Sequence, residues 1–196
     1  RAEFLGIVTR ESERLTRLIN QILDLAKLEA GRMEWRMGEV DAAGAIEEAV
    51  AATRALFAER GIDLEIEPFG SLPPVFADRD RLIQVLLNLL SNAVKFCDPQ
   101  AGRVELSTAV AGSELRIAVS DNGPGIPLDE RIKVFERFHQ LHGPEATQGT
   151  GLGLAISRQI VEHFGGRIWV ETATGGGARF VFSVPLAAAA GAAAAK

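Results

Sequence analysis

Residues 147–154 read TQGTGLGL, with Gly149, Gly151 and Gly153 alternating with small and apolar neighbours. Glycines at this spacing mark a backbone that comes close to a phosphate, and several unrelated nucleotide sites use them. A dinucleotide-binding turn needs its glycines directly after a hydrophobic strand; here they follow GPEATQ (143–148). A phosphate loop ends in Gly-Lys-Ser/Thr, which is missing. A glycine loop of the protein-kinase kind leads into a strand bearing lysine, yet LAISRQIVEHFGG (154–166) has helical spacing. What remains is a polar loop that closes onto a helix N-terminus, where free N–H groups and the helix dipole favour an anion.

The elements around this loop define the fold class. Upstream, residues 3–35 have helical periodicity, with Leu15, Leu18, Ile19, Ile22, Leu25 and Ala26 along one stripe. Glu11, Arg14, Arg17, Asp24 and Lys27 take the other face. The stripe needs a cover: a helix upstream, a helix of another chain, or the domain that follows. Asp41 caps a helix predicted over 42–60 that Gly61 ends, and Asp78 caps another over 79–96. Strands are predicted at 62–67, 103–110 and 114–120, the last two joined by a turn at Gly112. A short helix over 128–138, a helix over 151–164 and a hairpin of RIWVETA (167–173) and ARFVFSVPL (178–186) complete the pattern. Strands gathered into hairpins with helices between them predict an α+β, two-layer sandwich, one mixed sheet with helices on one face, preceded by a long amphipathic helix. The tail over 188–196 is low-complexity alanine and is expected to be disordered.

Composition sets limits on function. The chain has 196 residues, 47% hydrophobic and 24% charged, as a soluble globular domain does. With a net charge of −5 and no Lys/Arg-rich run, it lacks the clustered cations of a nucleic-acid surface. Cys97 is the only cysteine, so no disulfide framework is available and a cytoplasmic setting is expected. No apolar run is long enough for a membrane span, so no membrane contact is expected. The first residue is Arg1, not Met, so a piece of a longer protein is expected, with any anchor lying outside it.

Two stretches carry chemistry. In the helix over 79–96, Gln84, Asn88 and Asn92 step by four and Lys95 follows three later, one polar stripe on an otherwise apolar helix. Buried carboxamides without partners cost about 1–3 kcal/mol each. The stripe therefore faces a ligand, faces solvent, or bonds internally. As ligands, amide oxygens suit a hard cation such as Mg2+ and a lysine suits phosphate. SDNGPGIP (120–127) places Asp121 at a strand end before Gly123 and Gly125. It reads either as a tight turn or as a carboxylate that accepts an exocyclic amine beside backbone open to a flat ring.

In chain order, Gln84-xxx-Asn88-xxx-Asn92-xx-Lys95, Asp121-x-Gly123-x-Gly125, Phe135-xx-Phe138 and Gly149-x-Gly151-x-Gly153 resemble the N, G1, F and G2 boxes of sensor histidine kinases, in the GHKL (HATPase_c) superfamily. The match spans about residues 75–185. ESERLTRLINQILDLAKLEAG (11–31) resembles the second helix of that family's dimerisation and phosphotransfer domain. The resemblance implies a Bergerat-type ATP-binding fold over 38–187 after a helix of the dimerisation domain over 1–37. It implies ATP and Mg2+ as cofactors, transfer of the γ-phosphoryl to a histidine, and relay to the receiver domain of a response regulator. It also implies a homodimer formed through the N-terminal helix.

By the same resemblance Asp121 binds the adenine amine, with Gly123, Gly125 and Ile126 around it. Asn88 and Asn92 face the triphosphate and Mg2+, Asn92 foremost, with Lys95 near the phosphates. Phe135 and Phe138 anchor the front of a mobile ATP lid at about 139–148. Gly149, Thr150, Gly151, Leu152 and Gly153 bring backbone amides to the phosphates. Two departures stand out. Gln140 occupies the place where many relatives carry an arginine aimed at the terminal phosphate, with Arg137 nearby. The histidines, His139, His142 and His163, all follow the F box, so the acceptor and its acidic base lie outside the chain and no residue is assigned as catalytic. A water-activating GHKL ATPase needs a glutamate where Asn88 stands. A regulatory module that binds nucleotide without transferring phosphate is the other alternative.

Overall fold

The computed structural model describes residues 2–141 and 150–194. Helix α1 (Ala2–Glu29) stops short of residue 35 because Gly31 turns left-handed at φ 62°. The Arg32 N–H then returns to the Lys27 carbonyl at 2.9 Å, a glycine closure of the last turn. The link that follows is extended and buries Met33. In it Trp35 stacks on His163, ring centroids 3.7 Å apart, and meets Phe164 edge-on.

Helix α2 (Ala42–Arg60) starts where the Asp41 side chain accepts from the Ala43 N–H and ends at Gly61, φ 63°. Helix α3 (Arg79–Phe96) has the predicted bounds. Its cap Asp78 is buried and fully used. Oδ1 accepts from the Asp80 and Arg81 N–H groups, and Oδ2 accepts from the Arg36 N–H at 2.8 Å, tying the link to the helix start.

Five strands form the main sheet: β2 (Asp63–Ile66), β4 (Arg103–Ala111), β5 (Glu114–Asp121), β6 (Ile168–Thr172) and β7 (Ala178–Pro185). Their order is β2-β4-β5-β7-β6, with β2 parallel to β4 and the other pairs antiparallel. Leu115, Ile117 and Val119 of β5 join Phe180, Phe182 and Val184 of β7 in the core shared with α2, α3 and helix α4 (Gly153–His163). This is the α+β arrangement expected, a mixed sheet with helices on one face. A second sheet was not foreseen: β1 (Gly38–Val40) pairs antiparallel with β3 (Val75–Ala77). Three-residue strands are too short to show a period.

Three other expectations are corrected. Residues 128–138 form turns and a single 3-10 turn, Lys133–Phe135, not a helix. The core takes the adjacent pair Val134 and Phe135, while Leu128 and Ile132, which a helix would align with them, stay 79% and 75% exposed. Helix α4 begins at Gly153 because Gly151 adopts φ 68°, outside the helical region. The alanine tail is helix α5 (Ala187–Ala194), as alanine's helix propensity favours once Ala187 is buried and its N–H bonds to the Pro74 carbonyl.

Asp78→Ala should lower stability by about 1–3 kcal/mol, since three backbone donors lose their partner. Asp41→Ala removes one such bond and should cost about 1 kcal/mol. Urea denaturation of both variants measures the difference; equal losses would mean that the Arg36 tie adds nothing.

Candidate functional site

The site gathers at the end of β5, between the C-terminal half of α3 and the start of α4. Asp121 is only 5% exposed there. Its Oδ1 accepts from the Gly123 N–H at 2.9 Å and the Ala178 N–H at 3.2 Å. Burial pushes its pKa up from the ordinary carboxylate value, and the two N–H donors offset this in part. Oδ2 has no donor among the described residues and is not sealed from solvent. One oxygen thus fixes the side chain and the other keeps its acceptor capacity.

Three glycines interlock beneath this carboxylate. A Cβ at Gly123 would lie 2.0 Å from the Phe96 carbonyl oxygen at the end of α3. One at Gly177, φ 84°, would lie 1.9 Å from the Asp121 carbonyl oxygen. Gly125, φ 74°, sits against Gly177 in turn, and Ile126 packs on the core. The floor is backbone because side chains do not fit there.

On the side where α3 meets α4, the Asn88 amide donates to the Ser157 hydroxyl of α4 at 2.9 Å. A Cβ at Gly153 would come within 2.2 Å of the Asn88 Oδ1, so glycine is what lets that oxygen lie against the helix start. Asn92, one turn on, is half-buried with no side-chain hydrogen bond among the described residues. Lys95 lies with Nζ 4.2 Å from the Phe96 ring centre. Leu152 is fully buried and its N–H donates to the Thr150 hydroxyl. That hydroxyl donates in turn to Gln21 Oε1 of α1 at 2.7 Å.

The two phenylalanines differ. Phe135 is buried, edge-on to Phe180. Phe138, expected beside it as an anchor, is 66% exposed at φ 59°, with its N–H bonded to the Gly151 carbonyl at 2.9 Å. That backbone bond fixes the residue in a conformation non-glycine residues rarely adopt and turns its ring outward. Gly149, His142 and most of the expected lid lie outside the described residues. His139 pairs with Glu130 at 2.6 Å, and Glu130, which also binds Lys133, is held below the usual carboxylate range by both partners, Lys133 first.

Gln84 leaves the predicted stripe. Its amide donates to Asp24 of α1 at 2.9 Å and its oxygen accepts from Arg81, so it belongs to the α1 seam. Arg137 forms an ion pair with Glu29, also on α1. Sequence patterns passed over Ser157, Gln21, Ala178 and Gly177. Only Gly177 left a sign, as the last of three consecutive glycines in a hairpin loop.

Residues 77–188 match the family described as histidine kinase-, DNA gyrase B- and HSP90-like ATPase. The adaptive-response sensory kinase SasA of Parasynechococcus marenigrum is 36% identical over 91% of this chain and 49% of its own length. The sensor histidine kinase TmoS of Ectopseudomonas mendocina is 39% identical over 95% of this chain and 19% of its own. The crystal structure of full-length ShkA in complex with AMPPNP superimposes with a TM-score of 0.80 at 34% identity, covering 95% of this chain and 39% of that one. The chain therefore belongs to the histidine kinase-, gyrase B- and HSP90-like ATPase family, as an ATP-binding catalytic domain of the sensor histidine kinase kind. It spans half or less of the length of these curated relatives.

Gly177→Ala should displace the Asp121 main chain and cost about 1–3 kcal/mol through its left-handed backbone alone. Asp121→Asn should behave in the opposite way. The folded pKa of Asp121 lies above its unfolded value, so its contribution favours the fold at low pH and is lost as pH rises through the folded pKa. At pH 7 the neutral amide should melt no lower than the parent. Thermal melts from pH 4 to 8 check this, and a markedly lower midpoint for Asp121→Asn at pH 7 would contradict it.

Proposed function

We propose that this chain binds Mg-ATP and positions the γ-phosphoryl group for transfer to a histidine nitrogen outside the chain, for later relay to a response-regulator aspartate. The observation that carries this is the divided role of Asp121, one oxygen locked by N–H donors and the other open above a floor of glycine backbone. Such a group accepts from the exocyclic amine of adenine, and Gly123, Gly125 and Gly177 leave room for the ring.

Asn92 is the foremost candidate ligand of Mg2+, because its amide is uncommitted among the described residues, whereas Asn88 is held by Ser157. No cluster of three or more His, Cys, Asp or Glu side chains that could hold a metal occurs among the described residues. The set fits a cation held by an amide oxygen together with nucleotide phosphates, as Mg2+ prefers. Bound there, Mg2+ would neutralise charge on the phosphates. Lys95 and the amides opening α4 supply further positive potential. Asn88 carries no carboxylate, so it offers no base to activate water.

Residues 1–37 are assigned to a dimerisation and phosphotransfer region and 38–187 to the catalytic domain. Leu15, Ile19, Ile22 and Leu23 of α1 are 44–59% exposed, in keeping with a helix that pairs in a homodimer. The structure of histidine kinase ThkA in complex with response regulator protein TrrA, similar to this chain with a TM-score of 0.72 at 28% identity, supports the receiver domain as partner. It covers 93% of this chain and half of that one. No helix among the described residues is long and apolar enough to cross a membrane.

Calorimetry with Mg-ATP should give saturable binding that Asp121→Ala abolishes and that weakens as pH falls through the raised pKa of Asp121. Asn92→Ala should weaken binding in Mg2+ but much less in EDTA. Mixed with labelled ATP and the acceptor helix of a full-length kinase, the chain should place acid-labile, base-stable label on that helix. Unchanged affinity in Asp121→Ala would overturn the site; bound ATP without label would leave a nucleotide-sensing module.

A further inference from the structure

The sheet face turned away from the nucleotide residues is not an ordinary polar surface. Across its middle run Ala118 of β5, Val181 of β7 and Trp169 of β6, in register. Ala118 and Val181 are 3% and 2% exposed and stand outside the main core cluster. Two arginines of the neighbouring row reach the indole. Arg116 and Arg167, both in register with Ser183, hold their guanidinium carbons 5.8 and 5.1 Å from the Trp169 ring.

The charges on this face are unevenly matched. Glu171 spends one oxygen on the Trp169 indole N–H at 2.6 Å and the other on Arg179 at 3.1 Å. These partners, the indole first, hold its carboxyl below the usual range, with a through-space contribution from Arg116. Arg116 and Arg167 form no ion pair among the described residues, and the Arg116 Nε–H is buried without an acceptor. Asp63, Glu65, Glu105 and Glu114 share the face by register, and among the described residues none forms an ion pair with Arg116 or Arg167. An indole between two guanidinium groups that form no ion pair among the described residues is an unusual thing to leave on a chain whose net charge is −5.

We infer that this face docks an acidic segment of another protein, with a carboxylate taken by Arg116 or Arg167 and the Trp169 ring packed against the partner's apolar stems. Arginine forks favour carboxylates, and Trp with Arg is the pairing enriched where interfaces concentrate their energy. Two cations in an acidic molecule are too few for a nucleic-acid backbone or a membrane surface, which need a longer positive run. Because β5 turns Asp121 to the opposite face, docking leaves the nucleotide cleft open.

The test is a titration of the 15N-labelled chain with a short glutamate-rich peptide, followed by NMR. The indole N–H of Trp169 should shift saturably while that of Trp35 stays in place. Arg116→Gln with Arg167→Gln should weaken binding about tenfold or more, the scale of one charge-assisted hydrogen bond. The exposed single variant Arg167→Gln should show part of that loss, and both should retain the parent's melting temperature and ATP affinity. No saturable shift would overturn the inference. So would equal binding of the glutamine counterpart, or tighter binding at the same resonance by single-stranded DNA or phosphatidylglycerol vesicles.

Discussion

A carboxylate kept in the interior with only half its acceptor capacity used is costly, and the architecture around Asp121 follows from holding it there. The group sits at the last residue of β5, where the strand leaves the sheet and the chain must turn at once. Two backbone N–H groups, from Gly123 on its own turn and Ala178 on the neighbouring strand, reach one oxygen. For both donors to approach, the main chain must pass within contact of Phe96 on one side and of Gly177 on the other, and no side chain fits at either crossing. The glycines at 123, 125 and 177 are thus consequences of the carboxylate. Burial raising its pKa means the fold gains nothing from the charged form, which is the usual mark of a group kept for function.

The same economy governs the other wall of the site. Asn88 on α3 and Gly153 opening α4 are matched, since the amide oxygen occupies the space a side chain would need. Ser157, one turn into α4, takes the amide nitrogen, so α3 and α4 are pinned to each other at the place where phosphates are proposed to bind. Gly151 performs a third matching, with Phe138, whose backbone can donate to it only by taking up a left-handed conformation. Strain at this position sits beside the candidate site, in keeping with the tendency of such outliers to gather at functional sites.

Much of this was legible in the sequence, for physical reasons that also explain the exceptions. Asp41, Gly61 and Asp78 set helix ends locally, through one side chain or one φ angle, and α2 and α3 follow from them. The five strands of the main sheet are long enough, or alternate clearly enough, to be read. β1 and β3 are not, because a three-residue strand is decided by its partner. Residues 128–138 failed for a related reason, the core claiming Val134 and Phe135 in succession against the helical period. Within the site, Asp121, Asn92 and the glycines stood out by spacing. Ser157, Ala178 and Gln21 could not, since each contributes a single donor or acceptor defined only by tertiary contact. Gln84 shows the converse: its spacing matched the ligand stripe, yet Asp24 across the seam claims it.

That seam differs in kind from the rest of the interior. Helix α1 buries Leu25 and packs Leu28 on the catalytic domain, and it adds polar links: Gln21 to Thr150, Asp24 to Gln84 and Arg81, Glu29 to Arg137. The Glu29–Arg137 pair is 44% exposed on both sides, and such surface pairs contribute about 0–1 kcal/mol each. The core of α2, α3, α4 and the sheet rests on more than thirty buried apolar residues, a different order of stability. Two of the links end next to one backbone bond of the candidate site: Thr150 precedes Gly151, and Arg137 precedes Phe138, the pair joined by it.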